Sequence, residues 1–564
     1  MRRKAGKKKM SVFCNPLNIN YRYQFIKDPQ SGTVSVNREA ADPSLICYRG
    51  RYYIFASMTL GVWVSDDLAH WENHRLPDDL PLYDYAPDVR VIGEWVVICA
   101  SSRDQICHYY RTKDILEGPY EKVEGSFPFW DPNLFQDDDG RVYFYWGCSD
   151  EEPIYGIEVD PETLQPLCSP RELIFQDPAA IGYERVGEDH CLSRRPYIEG
   201  AWMNKHQGRY YLQYANPGTE FNIYGDGVYV GSSPLGPFHL AENNPYSYHP
   251  GGFMPGAGHG STEADAEGKL WHAASMRISV NHMFERRVGL WRAGFDADGE
   301  LFCNQRYGDW PMRTKTADPW AKPEWFLQSY RKAAAASSHT PGHEPQLAAD
   351  ENAQTWWQAA DGGPDEWLSL DLGKCCDVHA VQINFADERI DRPAPGSFRN
   401  GERCIDDAPM YTRWLLEGSE DGAHYAVLAD KREAMTDLSH DLVVWEEGIP
   451  LRYLRLSHME VPYGQRPCIS GLRVFGRGDG PAPAEAVFDA ERISDLDFTV
   501  RMHAEGAVGY NVLWGENEHK LYHSAMCFAK TLQIGALVKG RHYTVRVDAF
   551  NENGITEGTS SVRI

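Results

Sequence analysis

The chain has 564 residues, a formal net charge of −25 and 12% aromatic residues, with 17 Trp and 31 Tyr. That length exceeds one hydrophobic core, and the acidic balance repels phosphate-rich partners, so nucleic acid and anionic membrane surfaces are excluded as expected partners. The aromatic richness fits β-structure and fits sugar binding, where flat rings stack on apolar sugar faces, although most of these rings must serve packing.

The basic start, MRRKAGKKKM, is followed by no apolar stretch, and no run of eighteen apolar residues occurs later. Residues 1–20 are expected to be a disordered tail. The 13 cysteines are odd in number and form no C-x-x-C pair. They read as reduced thiols, which points to the cytoplasm.

Five similar segments follow. They are Gly50-Arg51-Tyr52-Tyr53, Gly93-Glu94-Trp95-Val96, Gly140-Arg141-Val142-Tyr143, Gly208-Arg209-Tyr210-Tyr211 and Gly268-Lys269-Leu270-Trp271, at intervals of 43, 47, 68 and 60 residues. Each is a turn glycine followed by a β-branched or aromatic strand. Strand-rich repeats of this length predict propeller blades, here five, over residues 21–325. Asp42 lies eight residues before its turn glycine, and Asp131, Glu199 and His259 each lie nine before theirs. In the second repeat Tyr85 lies eight before Gly93. One isolated Asp-Pro is ordinarily a turn opener. Recurrence at one repeat phase instead gathers these side chains around a central channel.

Three carboxylates and a histidine suit glycoside hydrolysis. One carboxylic acid protonates the leaving oxygen, a second carboxylate acts as base or nucleophile, and a third can hold the acid protonated. No H-E-x-x-H, P-loop or dinucleotide fingerprint competes with this reading.

Residues 38–315 resemble glycoside hydrolase family 43. The matching segments are Ala41-Asp42-Pro43, Ala86-Pro87-Asp88-Val89, Asp131-Pro132-Asn133-Leu134-Phe135, Glu199-Gly200 with Lys205, and Gly258-His259-Gly260-Ser261. The resemblance implies Asp42 as general base, Glu199 as general acid and Asp131 as modulator of the acid. It implies His259 on the axis, holding a water or an ion, and Arg286 near the terminal sugar, with Arg287 and Arg277 as rivals for that place. It also implies inversion, with a gap of roughly 6.5–9.5 Å between base and acid. Tyr85 stands where the family often has Trp, which leaves the sugar open. Trp130, Trp202 and Phe253 are further candidates for the pocket, Trp130 foremost. The Gly- and Pro-rich loop 246–256 is expected at the pocket mouth, and His190, Arg194 and Arg195 are expected on a solvated loop, with approach to the site as the alternative.

Residues 333–477, with Thr355-Trp356-Trp357, Trp367-Leu368-Ser369-Leu370 and Arg452-Tyr453-Leu454, are similar to a discoidin-like jelly roll shared with carbohydrate-binding module family 32. That fold often carries a structural Ca2+ ion, for which Asp350 alone does not define a site. Gly478–Ala484 reads as a linker, and residues 484–564 resemble a fibronectin type III sandwich. The expected protein is all-β, a five-bladed β-propeller followed by two sandwiches. The expected activity is exo-acting α-L-arabinofuranosidase or β-D-xylosidase on a neutral oligosaccharide, with no cofactor required. The alternatives are β-D-galactofuranosidase, a retaining mechanism, and a non-catalytic glycan-binding protein.

Overall fold

The computed structural model describes residues 10–82, 84–102, 105–399 and 401–564. Residues 1–9, the basic part of the expected tail, lie outside the described residues. The described chain is all-β, and its helical content is four short 3-10 turns. No helix among the described residues is long and apolar enough to cross a membrane.

Five four-stranded sheets occupy residues 44–304, each with its strands side by side in sequence order and antiparallel. Their first strands are Ser44–Tyr48, Tyr85–Ile92, Asn133–Gln136, Glu199–His206 and Gly258–Ala264. We number the sheets 1 to 5 in that order. Each first strand packs beside the next, and the fifth packs beside the first, so the five neighbour one another in a cycle.

Side chains stitch this cycle together. Ser44 Oγ accepts from Val89 N at 3.0 Å, and Asp88 Oδ2 accepts from Leu134 N at 2.7 Å. Asn133 Oδ1 accepts from Met203 N at 2.9 Å, Thr262 O accepts from Trp202 Nε1 at 3.0 Å, and Ser261 Oγ donates to Pro43 O at 2.7 Å. Each junction thus satisfies polar groups that burial would otherwise strand. Between the junctions the sheets bury alternating apolar faces, such as Tyr53, Val62, Val89 and Ile98 between sheets 1 and 2.

The flanking chain departs from expectation. Residues 10–20 are not a tail: Val12 and Phe13 pair with Arg313 and Met312, and Cys14, Leu17 and Ile19 are buried. Apolar side chains in that stretch fill the junction between the five-sheet ring and the C-terminal sheets, beside Trp310, Trp325 and Phe475. Residues 22–39 belong to none of the five sheets. Arg22–Lys27 and Val34–Glu39 form a separate three-stranded sheet with Arg403–Ile405 from the C-terminal half.

Beyond residue 325, an eight-stranded sheet includes the long strands Trp367–Phe385 and His440–Glu460. A further pair of sheets, three- and five-stranded, spans residues 487–563 and shares a core around Val500, Val512, Trp514 and Val545. Phe326–Leu327 pairs with Cys468–Arg477, so the C-terminal sheet begins before residue 333. All 13 cysteines are unpaired.

Two buried arginines join the halves. Arg38 reaches Asp387 at 3.0 Å and Asp437 at 2.9 Å. Arg473 donates to Glu351 Oε2 at 2.9 Å, to Gln382 Oε1 at 2.9 Å and to Asp309 O at 2.8 Å, and its guanidinium lies 4.5 Å from the Phe253 ring centre. Breaking such a pair leaves a buried charge alone. Arg473→Met is therefore expected to cost about 3–5 kcal/mol in urea denaturation followed by tryptophan fluorescence. A midpoint equal to that of the parent would contradict this role.

Candidate active site

At the head of each first strand the backbone turns left-handed. The residues there are Asp42 (φ 51°), Ala86 (φ 49°), Asp131 (φ 50°), Gly200 (φ 59°) and His259 (φ 52°). For a side chain other than glycine this conformation costs about 1–3 kcal/mol and persists only when neighbours over-determine it. The neighbours are hydroxyls from the preceding sheet. Ser275 Oγ accepts from Asp42 N, Ser57 Oγ from Ala86 N and Ser101 Oγ from Asp131 N, each at 2.8 Å. Asp226 Oδ1 does the same for His259 N at 2.7 Å. In sheet 4 the left-handed residue is Gly200, one beyond Glu199. A Cβ there would come within 2.7 Å of the His259 ring, so only glycine fits and the preceding residue supplies the acidic side chain.

Asp42 is buried and collects donors. Ser57 Oγ donates to its Oδ2 at 2.6 Å and Arg286 Nη1 to its Oδ1 at 2.9 Å, while His259 Nδ1 stands 3.4 Å from Oδ1. Burial pushes the Asp42 carboxyl up, but Arg286, His259 and the Ser57 hydroxyl outweigh it and hold the group below the ordinary aspartate value. Arg286 is itself clamped. Its Nε donates to Glu39 Oε1 at 2.8 Å and its Nη1 to Thr219 Oγ1 at 3.2 Å.

Asp131 sits in the opposite electrostatic state. Burial pushes its carboxyl upward, the Glu199 and Asp42 carboxylates add to the push, and His259 opposes it. One oxygen of Asp131, one of Glu199 and one nitrogen of His259 lie within 4.8 Å of one another. Tyr224 Oη donates to Glu199 Oε1 at 2.6 Å and Cys148 Sγ to Oε2 at 3.1 Å, which fixes the Glu199 carboxylate from two sides. Burial disfavours the charged His259 imidazole, but Asp42, Asp131 and Glu199 outweigh that and raise its pKa.

These groups face one cavity of about 570 Å3, lined by Asp42, Tyr85, Trp130, Asp131, Glu199, His259 and Arg286 among others. All seven residues singled out from the sequence are thus brought together. Arg194 and Arg195 line the same cavity. The other candidates lie elsewhere. Trp202 stacks under Arg90 at 4.1 Å, and Phe253 packs under Arg473. The loop 246–256 is not at the mouth: Tyr246, Tyr248, Phe253 and Met254 are buried, and Tyr248 packs against Trp514. His190 is buried against Tyr248. Arg287 donates to His440 Nε2 at 2.8 Å and Arg277 to Glu188 Oε2 at 2.9 Å, so neither rivals Arg286.

Sequence reasoning missed Glu39, Cys148, Tyr224, Thr219 and Phe284. None stands at the repeat phase, so the spacing argument could not reach them. The hydroxyls of Ser57, Ser101 and Ser275 do recur at the ends of second strands, and that signal was available.

Residues 33–301 match the family model described as glycosyl hydrolases family 43. A β-D-galactofuranosidase of Aspergillus niger is 29% identical over 236 residues, covering 35% of this chain and 62% of that protein. A β-xylosidase of Xylanibacter ruminicola is 27% identical over 150 residues, covering 22% of this chain and 44% of that protein. Xylosidase/arabinosidase 43B of Humicola insolens is 28% identical over 269 residues, covering 41% of this chain and 46% of that protein. The chain spans less than two thirds of the length of these curated relatives. Residues 33–301, a little under half of the chain, are thus similar to glycosyl hydrolases family 43.

Proposed function

We propose that the protein is an inverting, exo-acting glycoside hydrolase that releases terminal α-L-arabinofuranose or β-D-xylose from a neutral oligosaccharide. The observation that carries this reading is the split among the carboxyl groups of one cavity. Asp42 is held ionised beside Arg286, while Asp131, next to Glu199, is pushed upward. Two carboxyl environments driven apart are what acid–base hydrolysis of a glycoside requires.

In this reading Asp42 takes a proton from water, and that water attacks the anomeric carbon. Glu199 gives a proton to the leaving oxygen. Asp131 and His259 hold the proton inventory and the orientation of the acid. Arg286 keeps Asp42 charged and, with Thr219, faces the terminal sugar. The Tyr85 ring lines the cavity, while its Oη is buried without a hydrogen-bond partner among the described residues.

Asp131, Glu199 and His259 are also spaced to hold a cation. A cation there would occupy the carboxyl groups that deliver the proton, so the proposed chemistry uses side chains alone. The names of the relatives keep β-D-galactofuranose as the second sugar to test. A non-catalytic glycan binder has no need of two carboxyl groups in opposite states.

For the scaffold, we propose a five-bladed propeller within residues 21–325, supported by the cyclic order of the first strands. The eight-stranded sheet supports a discoidin-like unit near residues 333–477. The facing three- and five-stranded sheets support a fibronectin type III-like unit near residues 484–564.

An aryl-glycoside panel of α-L-arabinofuranoside, β-D-xyloside and β-D-galactofuranoside tests the activity. The parent is expected to hydrolyse at least one, and Glu199→Gln to lose about 10²–10⁴-fold in kcat with sugar binding retained. A parent inert on all three would end this reading.

The base has its own signature in pH. Because Asp42 must be ionised, kcat/KM falls as pH drops through its depressed pKa. Ser57→Ala removes a hydrogen bond to the charged form, so the acid limb of the profile is expected to move to higher pH. An unmoved limb, or one moved downward, would remove Asp42 from the base role.

A further inference from the structure

The wall of the cavity next to Asp42 is made by Tyr85, Phe284 and Arg286. Its support comes from the other half of the chain. Arg403 stands on the strand Arg403–Ile405, which pairs with Arg22–Lys27 through Ile26↔Arg403, Phe25↔Cys404 and Gln24↔Ile405. Arg403 is only 8% exposed and does not itself line the cavity. It lies 4.5 Å from the centre of the Tyr85 ring and 5.4 Å from that of Phe284. Ile405, two residues on, packs with Met58, Leu60 and Tyr85.

The same guanidinium begins a continuous polar chain. Arg403 Nη1 donates to Gln24 Oε1 at 2.8 Å, and Gln24 Nε2 donates to Glu39 Oε2. Glu39 Oε1 accepts from Arg286 Nε at 2.8 Å, and Arg286 Nη1 donates to Asp42 Oδ1 at 2.9 Å. Five side chains therefore run from the C-terminal half to the carboxylate that faces the water. Burial raises the Glu39 carboxyl, and Arg286 and Arg403 together pull it back.

We propose that Arg403 is a specificity-determining positioning residue, through which the C-terminal half sets the placement of Tyr85 and Phe284 against the terminal sugar. This rests on the glycosidase reading of the same cavity. A planar guanidinium suits the role because it stacks on two rings while donating sideways to Gln24, and an ammonium keeps the charge without the stack. The C-terminal half of the chain then takes part in sugar selection without touching the sugar.

Arg403→Met and Arg403→Lys in the full chain test this in two ways. In kinetics on the three aryl glycosides, Arg403→Met is expected to raise KM about tenfold with kcat changed less than about threefold, and to alter the ratio of kcat/KM between sugars. In titrations of L-arabinose, D-xylose and D-galactose followed by tryptophan fluorescence, the affinity of the preferred sugar is expected to fall about tenfold, with Arg403→Lys in between. If Arg403→Met loses its cooperative thermal transition, Arg403→Lys carries the test, with a weaker shift of the same sign.

A parent that binds a monosaccharide but hydrolyses no glycoside ends the catalytic reading, and the binding arm then decides on Arg403 by itself. Folded variants whose KM, sugar ratio and monosaccharide affinity all stay within twofold of the parent overturn the proposal. A parent that neither hydrolyses nor binds any of these sugars overturns both.

Discussion

The left-handed residue at the head of each sheet is the constraint on which the site depends. A chain that ran straight into its first strand would point Asp42, Asp131 and His259 along the sheet rather than into the cavity. The bend costs backbone energy at four non-glycine positions, and each is held by a polar side chain from the neighbouring sheet. Because Ser57 and Ser101 hold a backbone amide and also donate to a carboxylate, assembly of the ring and orientation of the cavity's carboxyl groups are one event. The ring junctions through Ser44, Asp88, Asn133, Thr262 and Ser261 extend the same logic outward.

Electrostatics divides the labour inside the cavity. Arg286 and His259, whose imidazole the surrounding carboxylates pull toward its charged form, face three carboxyl groups, and they are not shared evenly. Arg286 is committed to Asp42 and Glu39, so Asp131 is left with His259 as its near cation and two carboxylates as near neighbours. Burial magnifies that asymmetry, since charge pairs count for more away from water. The family resemblance gives Asp131 the task of holding Glu199 protonated. In the structure the upward push falls on Asp131 itself, from burial first and then from the neighbouring carboxylates.

Much of this was legible in the sequence because a turn glycine marks each repeat and the functional residue stands at a fixed distance before it. The reading lost precision at Glu199, where the structural equivalent of Asp42 is Gly200 and the acidic side chain comes from one residue earlier. It could not reach Glu39, Cys148, Tyr224 or Arg403, which arrive from elements outside the repeat phase. The burial of residues 10–20 was hidden by the basic run before them, while Val12 and Cys14 fill the junction with the C-terminal sheets and Phe13, Leu17 and Ile19 pack between sheets 5 and 1. The loop 246–256 looked like a pocket rim because it is rich in rings and glycine. Those rings instead serve the contact with the C-terminal sheets, a long-range partner that no local pattern announces.

In the proposed mechanism Asp42 activates water on one side of the sugar while Glu199 protonates the leaving group on the other. The most direct measurement is proton NMR of the first-formed anomer, recorded on the preferred aryl glycoside before mutarotation. The expected product has an anomeric configuration opposite to that of the substrate. A first-formed product that retains the configuration would contradict this mechanism, and would require a carboxylate in the cavity to act as nucleophile.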